Sequence, residues 1–289
     1  MTTPGHTTDY VGPITNTNRW VNFQYRPDDI FICTPPKCGT TWTHAIVAML
    51  VFGKVDHGQK PGVISPWVDA DFAPIDEYLQ MVEGQDHRRF LKTHSPFDGI
   101  PYYEECAYLA VMRDPRDMYC SMLHHRDNMN DAEMAHMVMP SGDDAFEKWL
   151  DGTLNPDKFD VQSLHGAMHF FKTYWDYRDA TNVHLMHYYD MKIDLKGHIA
   201  NLADFLDIEL SDQFLDDMTA AATFESMQAK GDQFAPMAGN DFWKSENGFF
   251  ARGTNAQYKE VLSGDQLIAF DHRIRELIDA EQYDWLMRS

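Results

Sequence analysis

Residues 31–50 read FICTPPKCGTTWTHAIVAML, and this stretch decides the fold. An apolar run that favours a β-strand, Ile30 to Cys33, stops at Pro35-Pro36. A short loop, residues 37–41, follows, and an apolar stretch with helical spacing begins at Trp42. Strand, glycine-containing loop and helix form the usual frame of a phosphate-binding site. The common spelling GxxxxGK(S/T) is absent because the lysine precedes the glycine, so the identity of the bound anion stays open at this point.

The rest of the chain repeats this alternation of strand and helix. Further strand candidates lie at 89–93, 107–112 and 183–188, each a short and mostly apolar run. Helical patterns lie at 41–53, 115–129, 160–179, 190–206, 212–222 and 264–280. The alternation predicts one α/β domain with a central parallel β-sheet flanked by helices and a P-loop-like phosphate-binding loop. We place this domain at 29–289, after an irregular lead-in over 1–28.

Local signals add detail to this prediction. Asp114 and Pro115 have the types expected at an N-cap and first helical position, and Asp190 is the candidate cap for the helix after the last strand. Segments 54–88 and 230–258 are rich in Gly, Pro, Asp and aromatic residues, so they are predicted to be long functional loops.

Composition excludes several classes of protein. The formal net charge is -21, which disfavours a nucleic-acid partner because such proteins need a basic surface. No apolar run reaches the roughly 18 residues of a membrane span, and the first residues lack the pattern of a signal peptide. The four cysteines indicate reduced thiols and a cytoplasmic protein. An anionic ligand therefore has to be held by local cations and backbone amides.

Candidate residues for such a ligand follow three strands. The amides of 38–42 open a helix, Gly39 permits close approach, and Thr40 and Thr41 add hydroxyl donors. Lys92 and His94 stand two residues apart at a strand end, so they share one face, and histidine can accept a hydroxyl proton. Arg113 ends another strand with Ser121 eight residues later, a pair able to hold a second phosphate.

These motifs together resemble those of the cytosolic-type sulfotransferases. TPPKCGTTW is similar to the family's YPKSGTTW loop, LKTHSPF to its KTH-x-P segment, and VMRDPRDMYCSMLHH to its Arg and Ser motif. YYDMK (188–192), TFESM (223–227) and FFARGTNAQYK (249–259) resemble YEDMK, SFKEM and RKGxxGDWK. The matches run in the family's order from about residue 30 to residue 260.

The resemblance implies a donor, 3′-phosphoadenosine 5′-phosphosulfate (PAPS), a product, PAP, and no metal. It implies that His94 is the general base, that Lys37 stands at the bridging oxygen of the donor, and that Lys92 stabilises the transferring group. The acceptor is a hydroxyl or amine on a small molecule, apolar, aromatic or alcoholic, and the enzyme is a monomer or homodimer. The implied donor-binding residues are Lys37, Cys38, Gly39, Thr40, Thr41, Trp42, Arg113, Ser121, Tyr188, Thr223, Phe224, Phe249, Phe250, Ala251, Arg252 and Gly253.

Departures from the family's spelling raise further expectations. Cys38 replaces a serine, which changes little if its amide binds the phosphate. Ala251 stands where the family has a basic residue, so one contact to the 3′-phosphate is missing or comes from Arg252 or Arg116. Ala256 and Tyr258 replace Gly and Trp, and the family's dimer segment is poorly kept, which makes dimerisation by that route doubtful.

Other readings of the same residues remain. A P-loop kinase or NTPase would need a lysine after the glycine and a carboxylate for Mg²⁺, and a non-catalytic nucleotide-binding protein is a second alternative. The scattered histidines are expected to be solvated or in the core rather than metal ligands; they are His124, His125, His44, His165, His169, His184 and His187. Trp67, Phe72 and Tyr78 are expected to border the acceptor.

Overall fold

The central sheet has four parallel strands in the order β2–β1–β3–β4. A computed structural model describes residues 5–235, 239, 241–250 and 253–288. The strands are β1 Ile30–Cys33, β2 Phe90–Thr93, β3 Ala107–Met112 and β4 Val183–His187. The predicted α/β fold with a parallel sheet is confirmed. Parallel strands are covered on both faces, which is why these four segments are almost continuously apolar.

Fifteen α-helices surround the sheet in the described part of the chain. They are α1 Thr40–Phe52, α2 Pro61–Ile64, α3 Ile75–Glu83, α4 Pro115–Asp127, α5 Ala132–Val138, α6 Ala145–Asp151, α7 Leu164–Trp175, α8 Tyr188–Ile193, α9 Leu195–Phe205, α10 Asp212–Ala221, α11 Phe224–Ala229, α12 Gly231–Phe234, α13 Tyr258–Val261, α14 Gly264–Leu277 and α15 Ala280–Leu286. None of the helices in this part of the chain is long and apolar enough to cross a membrane.

Side chains alternate between the two faces of the sheet. From β1, Phe31 and Cys33 join one hydrophobic cluster, which also includes residues of α4 and α7. Ile30 and Ile32 join a second cluster on the opposite face, with residues of α1 and α9. This period of two is what a strand requires when both of its faces are buried. The carboxyl ends of the strands therefore open between the two helical layers, where parallel sheets of this kind bind ligands.

Some predicted elements differ from the observed ones. The pattern at 190–206 is two helices, because the Asp194 side chain accepts a hydrogen bond from the Gly197 amide and begins α9. The predicted cap at Asp190 is wrong, since the His187 side chain accepts from the Tyr189 amide at the start of α8. Asp190 instead pairs with Arg288 at 2.7 Å.

The loop and helix ends also need correction. The segment 54–88, which was predicted to be a loop, contains α2 and α3. Helix α3 is amphipathic and buries Val82. Helix 160–179 begins only at Leu164, after the Ser163 hydroxyl accepts from the Gly166 amide. The pattern at 264–280 ends at Leu277, and Asp279 caps a further helix, α15. The predicted N-cap at Asp114 is confirmed, since its side chain accepts a hydrogen bond from the Arg116 amide.

The amino-terminal segment before β1 packs on the sheet. Trp20 and Phe23 have ring centroids 5.7 and 6.0 Å from that of Phe31. The buried Asp160 carboxylate accepts hydrogen bonds from the Ile14 and Thr15 amides at 2.6 and 2.9 Å and from the Thr15 hydroxyl at 2.7 Å. This carboxylate fixes the segment to the residues that precede α7. The domain boundary at residues 28 and 29 stays a prediction.

Candidate active site

A cavity of about 1040 Å³ opens at the carboxyl ends of the strands. It brings together most of the residues that the sequence analysis assigned to the donor and to catalysis, namely Lys37, Gly39, Thr40, Thr41, Trp42, Lys92, His94, Arg113, Ser121, Tyr188, Thr223, Phe224, Phe249, Phe250 and Gly253. Cys38 is fully buried and does not line the cavity. Ala251 and Arg252 lie outside the described residues.

The loop between β1 and α1 presents backbone amides at the start of a helix. Gly39 has a φ of 102°, a conformation that favours glycine. A Cβ atom at this position would lie 3.0 Å from Tyr188 Cδ2. The first intrahelical bond runs from the Thr43 amide to the Gly39 carbonyl at 2.9 Å, so the amides of 39–42 precede the helical ladder and can bind an anion.

One predicted donor in this loop is already in use. The Cys38 amide donates to the Pro35 carbonyl at 3.3 Å, so a phosphate would have to share this donor with the turn, and its binding there stays a prediction. In the same turn Lys37, the residue before Cys38, adopts a left-handed conformation with a φ of 67°. Cys38 therefore acts as a buried part of the loop's frame.

His94 lies just after β2 with its imidazole fixed by the backbone. Its Nδ1 is 2.6 Å from the Thr34 carbonyl oxygen. A carbonyl can only accept, so Nδ1 carries the hydrogen and Nε2 keeps the lone pair. Burial, together with the nearby Lys92 ammonium, holds the pKa of His94 well below its usual value. His94 is therefore neutral near pH 7 and can accept a proton at Nε2.

Lys92 lies against an aromatic ring beside this histidine. Its Nζ is 3.7 Å from the centre of the Trp67 ring, and the Trp67 and His94 rings meet edge to face at 4.7 Å. Such cation–π contacts stabilise an ammonium group that has lost water. Burial lowers the pKa of Lys92 to about 8, an effect that the Asp69 carboxylate partly opposes.

Lys37 is partly buried at the mouth of the amide loop. Its Nζ lies 3.2 Å from His125 Nδ1 and 4.5 Å from the centre of the Phe249 ring. Burial, then repulsion by Arg113 and Lys92, lowers the pKa of Lys37 to about 7. Burial and the adjacent Lys37 also hold the pKa of His125 well below its usual value, so the lysine donates and the imidazole accepts.

His125 is thus a site residue that the sequence analysis left among solvated or core histidines. It lies four residues after Ser121 in α4, and that spacing puts both side chains on one face of the helix. The spacing could have identified it, but its contact with Lys37 depends on how the helix packs. His44 also lines the cavity, and burial lowers its pKa to about 3.

Arg113 contacts the backbone at the beginning of the amide loop. Its Nη1 donates to the Lys37 carbonyl at 3.4 Å and its Nη2 to the Thr254 carbonyl at 3.1 Å. The guanidinium carbon is 4.5 Å from the centre of the Tyr188 ring. Among the described residues Arg113 Nε has no hydrogen-bond partner although it is buried. A buried guanidinium nitrogen without a partner points to an anionic ligand at this end.

The predicted base pocket lies between α1 and α11. Trp42 Nε1 donates to the Ala222 carbonyl at 2.7 Å, and the Trp42 and Tyr188 rings meet edge to face at 5.3 Å. Thr223 caps α11 through the Ser226 amide. Gly253 has a φ of 59°, and a Cβ atom there would lie 2.2 Å from Phe224 Cδ2, so this position requires glycine.

One proposed substitute for the missing basic residue is wrong. Arg116 pairs with Asp114 at 2.5 Å and stacks on the Tyr258 ring at 3.8 Å, so its charge is used outside the cavity. A different cation, Lys192, lines the cavity and donates to the Gly253 carbonyl. Sequence reasoning missed Lys192, because nothing in its spacing indicates a contact 61 residues away.

The opposite end of the cavity is mainly apolar. Methionine and aromatic side chains line it, among them Met122, Met129, Met134, Phe170, Phe242 and Trp243. Trp67, Phe72 and Tyr78, which were expected to border an acceptor, line the same cavity. Flexible methionine side chains adapt to irregular apolar ligands. Within the described chain, no group of three or more His, Cys, Asp or Glu side chains could hold a metal ion.

Comparisons with protein sequences agree along most of the chain. The family model described as "Sulfotransferase domain" matches residues 27–282. A glycolipid sulfotransferase from Mycobacterium bovis is 31% identical, over 92% of this chain and 90% of that protein. An amine sulfotransferase from Oryctolagus cuniculus is 26% identical, over 88% of this chain and 82% of that protein.

Solved structures share the fold at low identity. Retinol dehydratase in complex with androsterone and the inactive cofactor PAP has a TM-score of 0.75 and 18% identity, covering 92% of this chain and 87% of that chain. A mouse sulfotransferase complexed with PAP has a TM-score of 0.71 and 19% identity, covering 91% of this chain and 88% of that chain.

Proposed function

The chain belongs to the sulfotransferase family, and on that premise we propose that it transfers a sulfuryl group from PAPS to a hydroxyl group of an apolar small molecule. One observation carries the proposal. His94 is neutral, is fixed through Nδ1 on the Thr34 carbonyl at 2.6 Å, and lines one cavity with Lys37 and Lys92. A base with a free lone pair beside two cations suits the removal of a hydroxyl proton and the stabilisation of departing negative charge.

The donor end of the cavity fits a nucleotide with two anionic groups. The amides of 39–42 suit the 5′-phosphate. Arg113 has a buried Nε that lacks a partner within the described residues, and it suits the 3′-phosphate together with Ser121 and Lys192. Trp42, Tyr188, Thr223 and Phe224 would hold the adenine. Phe249, which contacts the Lys37 ammonium, and Phe250, whose ring meets that of Phe224, would add to the donor site. PAPS supplies the sulfuryl group that is transferred from its 5′-phosphate.

Each catalytic side chain has one task in this scheme. His94 Nε2 accepts the acceptor's hydroxyl proton, and the resulting imidazolium keeps its Nδ1 hydrogen on Thr34. Lys37 brings its ammonium to the oxygen on which negative charge grows, which favours the transition state over the ground state. Lys92 adds a second positive charge beside the transferred group. The catalysis is then mainly positioning and charge stabilisation, as in phosphoryl transfer.

The site also favours a hydroxyl over an amine acceptor. Lys37, Lys92 and Arg113 are among the cations that line the cavity, and they would repel an ammonium group beside the proposed base. The Met and aromatic lining supports an apolar body for the acceptor. The four cysteines are free and buried, which supports work in a reducing compartment, the cytoplasm.

The kinase alternative finds little support. Strand β3 ends in Met112 and continues with Arg113 instead of a carboxylate for Mg²⁺. The lysine of the β1–α1 loop precedes the glycine, whereas a P-loop NTPase has it after the glycine. A non-catalytic role is disfavoured because the proposed base, His94, keeps a free lone pair inside the cavity.

The direct test is transfer of labelled sulfate. With PAPS carrying ³⁵S, we expect label on long-chain alcohols, sterols, phenols or glycolipids, and much less on matched amines. Calorimetry should also show tighter binding of PAP than of ATP with Mg²⁺. Tighter binding of ATP, with no label on any hydroxyl compound, would overturn the proposal.

Donor binding is expected to be linked to protons. The pKa values of Lys37 and Lys92 are lowered to about 7 and about 8 without a ligand, and a bound polyanion raises them. Binding PAP at pH 8 should then take up roughly one proton, and the affinity should fall as the pH rises from 7 to 9. Below about pH 6 both lysines are already protonated and the uptake should vanish.

Calorimetric titrations of PAP in two buffers with different ionisation enthalpies measure this uptake. The Lys37→Met variant should lose the larger part of it, because Lys37 has the lower pKa of the two. An uptake that is equal at pH 6 and pH 8 would contradict the prediction.

A further inference from the structure

A buried carboxylate lies directly behind the proposed base. Asp69 Oδ2 accepts hydrogen bonds from the Thr93 hydroxyl at 2.6 Å and from the Ser95 hydroxyl at 2.7 Å. These two residues flank His94 in the sequence. Contacts of 2.5–2.7 Å from hydroxyls are typical of an ionised carboxylate. Asp69 is fully buried, and burial raises the pKa of its carboxyl group, an effect that the Thr93 and Ser95 hydroxyls oppose.

The same carboxylate also holds a loop that touches both catalytic side chains. Residues 65–70 dock on the end of β2, where the Lys92 amide donates to the Pro66 carbonyl at 3.1 Å. Trp67 extends from this loop to contact the Lys92 ammonium and the His94 ring. On the far side, the Asn16 amide donates to the Asp69 carbonyl at 2.8 Å. Asp69 therefore connects the Trp67 loop and the His94 segment at one point.

Asp69 is also the acidic partner in a group of cations and histidines. Several titratable groups interact electrostatically with Lys92, and they come from different elements. They are Asp69 before α3, Lys37 before α1, His44 in α1, His94 after β2 and His125 in α4. Of these groups only Asp69 is negative. Its charge partly opposes the lowering of the Lys92 pKa by burial.

We propose that Asp69 is a positioning residue for sulfuryl transfer, which aims His94 through the Thr93 and Ser95 hydroxyls and holds the Trp67 loop against Lys92. Asp69 touches neither donor nor acceptor; it acts through the segment 92–95 and the Trp67 loop. The proposal rests on the proposed function, because it assumes that His94 and Lys92 do the chemistry. It differs from a purely structural role because the charge of Asp69 matters as well as its hydrogen bonds.

The test separates charge from hydrogen bonding. Asp69→Asn keeps the shape and an acceptor oxygen but removes the charge, whereas Ser95→Ala removes one hydrogen bond and keeps the charge. We expect Asp69→Asn to lower kcat about ten-fold while the affinity for PAP stays within about two-fold of the parent's. The alkaline fall of kcat/KM should move to lower pH by about half a unit or more. Ser95→Ala should lower kcat without moving that limb.

Asp71→Asn is a matched control. Asp71 follows in the same stretch of chain, where it pairs with Arg19 at 2.7 Å and is half exposed, and its replacement should leave kcat and the pH profile at the parent's values. The proposal is overturned if Asp69→Asn keeps the parental kcat and alkaline limb. It is also overturned if kcat, PAP affinity and melting temperature fall together while the limb stays in place.

A second pair of variants covers misfolding. If Asp69→Asn does not fold, Thr93→Val and Ser95→Ala test the role of Asp69 instead, because each removes one of its hydrogen bonds. A parental kcat in both variants would reject the inference. His94→Ala serves as the reference for the proposed function. If His94→Ala is fully active, the assignment of His94 as the base is rejected. If His94→Ala is inactive and Asp69→Asn has normal activity, only the role of Asp69 is rejected.

Discussion

Replacing His94 with alanine is expected to lower kcat about a thousand-fold, within the 10²–10⁴ range of general acid–base catalysis. The imidazole has its Nδ1 hydrogen committed to Thr34, so Nε2 is the free base and alanine leaves nothing to accept the hydroxyl proton. PAP should bind within about two-fold of the parent, because the base is assigned to the acceptor side of the reaction. Initial rates with labelled PAPS and calorimetry with PAP measure both quantities.

The pH profile gives an independent check on His94. The pKa of this imidazole is held well below its usual value, mainly by burial. Protonation at low pH would remove the lone pair, so the acid limb of kcat/KM should lie clearly below pH 6.5, the ordinary pKa of histidine being about 6.5. His272→Ala is the control, since His272 is exposed on α14. Activity of His94→Ala near the control's value would rule out His94 as the base.

Replacing Lys37 with methionine is expected to lower kcat by roughly 10²–10³, the usual loss when a preorganised donor to developing charge is removed. Methionine keeps an unbranched side chain beside Phe249 but brings no charge to the departing oxygen. The loss should appear in single-turnover experiments at saturating PAPS, which report the chemical step without donor affinity.

Lys148→Met provides the comparison for this variant. Lys148 is exposed on α6 and pairs with Asp144 at 2.8 Å, so its loss should leave single-turnover rates unchanged. A Lys37→Met enzyme with at least a tenth of the parental single-turnover rate would mean that Lys37 does not stabilise the departing charge. Arginine at position 37 should recover little, because its planar head group is larger than an ammonium group.

The sheet could be predicted because its strands are short apolar runs with no competing pattern. Ile30–Cys33 and Ala107–Met112 are buried on both faces, and burial of that kind leaves a clear signal in sequence. The split between α8 and α9 was missed because several residues there can cap a helix. Asp190 and Asp194 are equally good caps by type, and only the tertiary pairing of Asp190 with Arg288 separates them.

The residues of the candidate site also divide into those that the sequence predicts and those that it does not. Lys37, Lys92, His94 and Arg113 follow strand ends, so topology alone brings them to one edge of the sheet. Asp69 could not be predicted, because a single carboxylate in a loop carries no distinctive spacing. The spacing of His125 from Ser121 indicates a shared helix face, but its contact with Lys37 depends on how α4 packs. The hydrogen bond from the Cys38 amide to the Pro35 carbonyl was not predictable for a related reason, since it lies in a turn where Lys37 adopts a left-handed conformation.

The family match begins at residue 27, yet part of the cavity wall comes from earlier in the chain. Ile14 and Thr15 line the cavity and are held by the Asp160 carboxylate. We therefore expect residues before the matched domain to contribute to selectivity among acceptors. Two enzymes with the same catalytic residues could then differ in acceptor because this stretch differs. A chimera joined at residue 27 would take its donor-binding residues from one parent and part of its acceptor selectivity from the other.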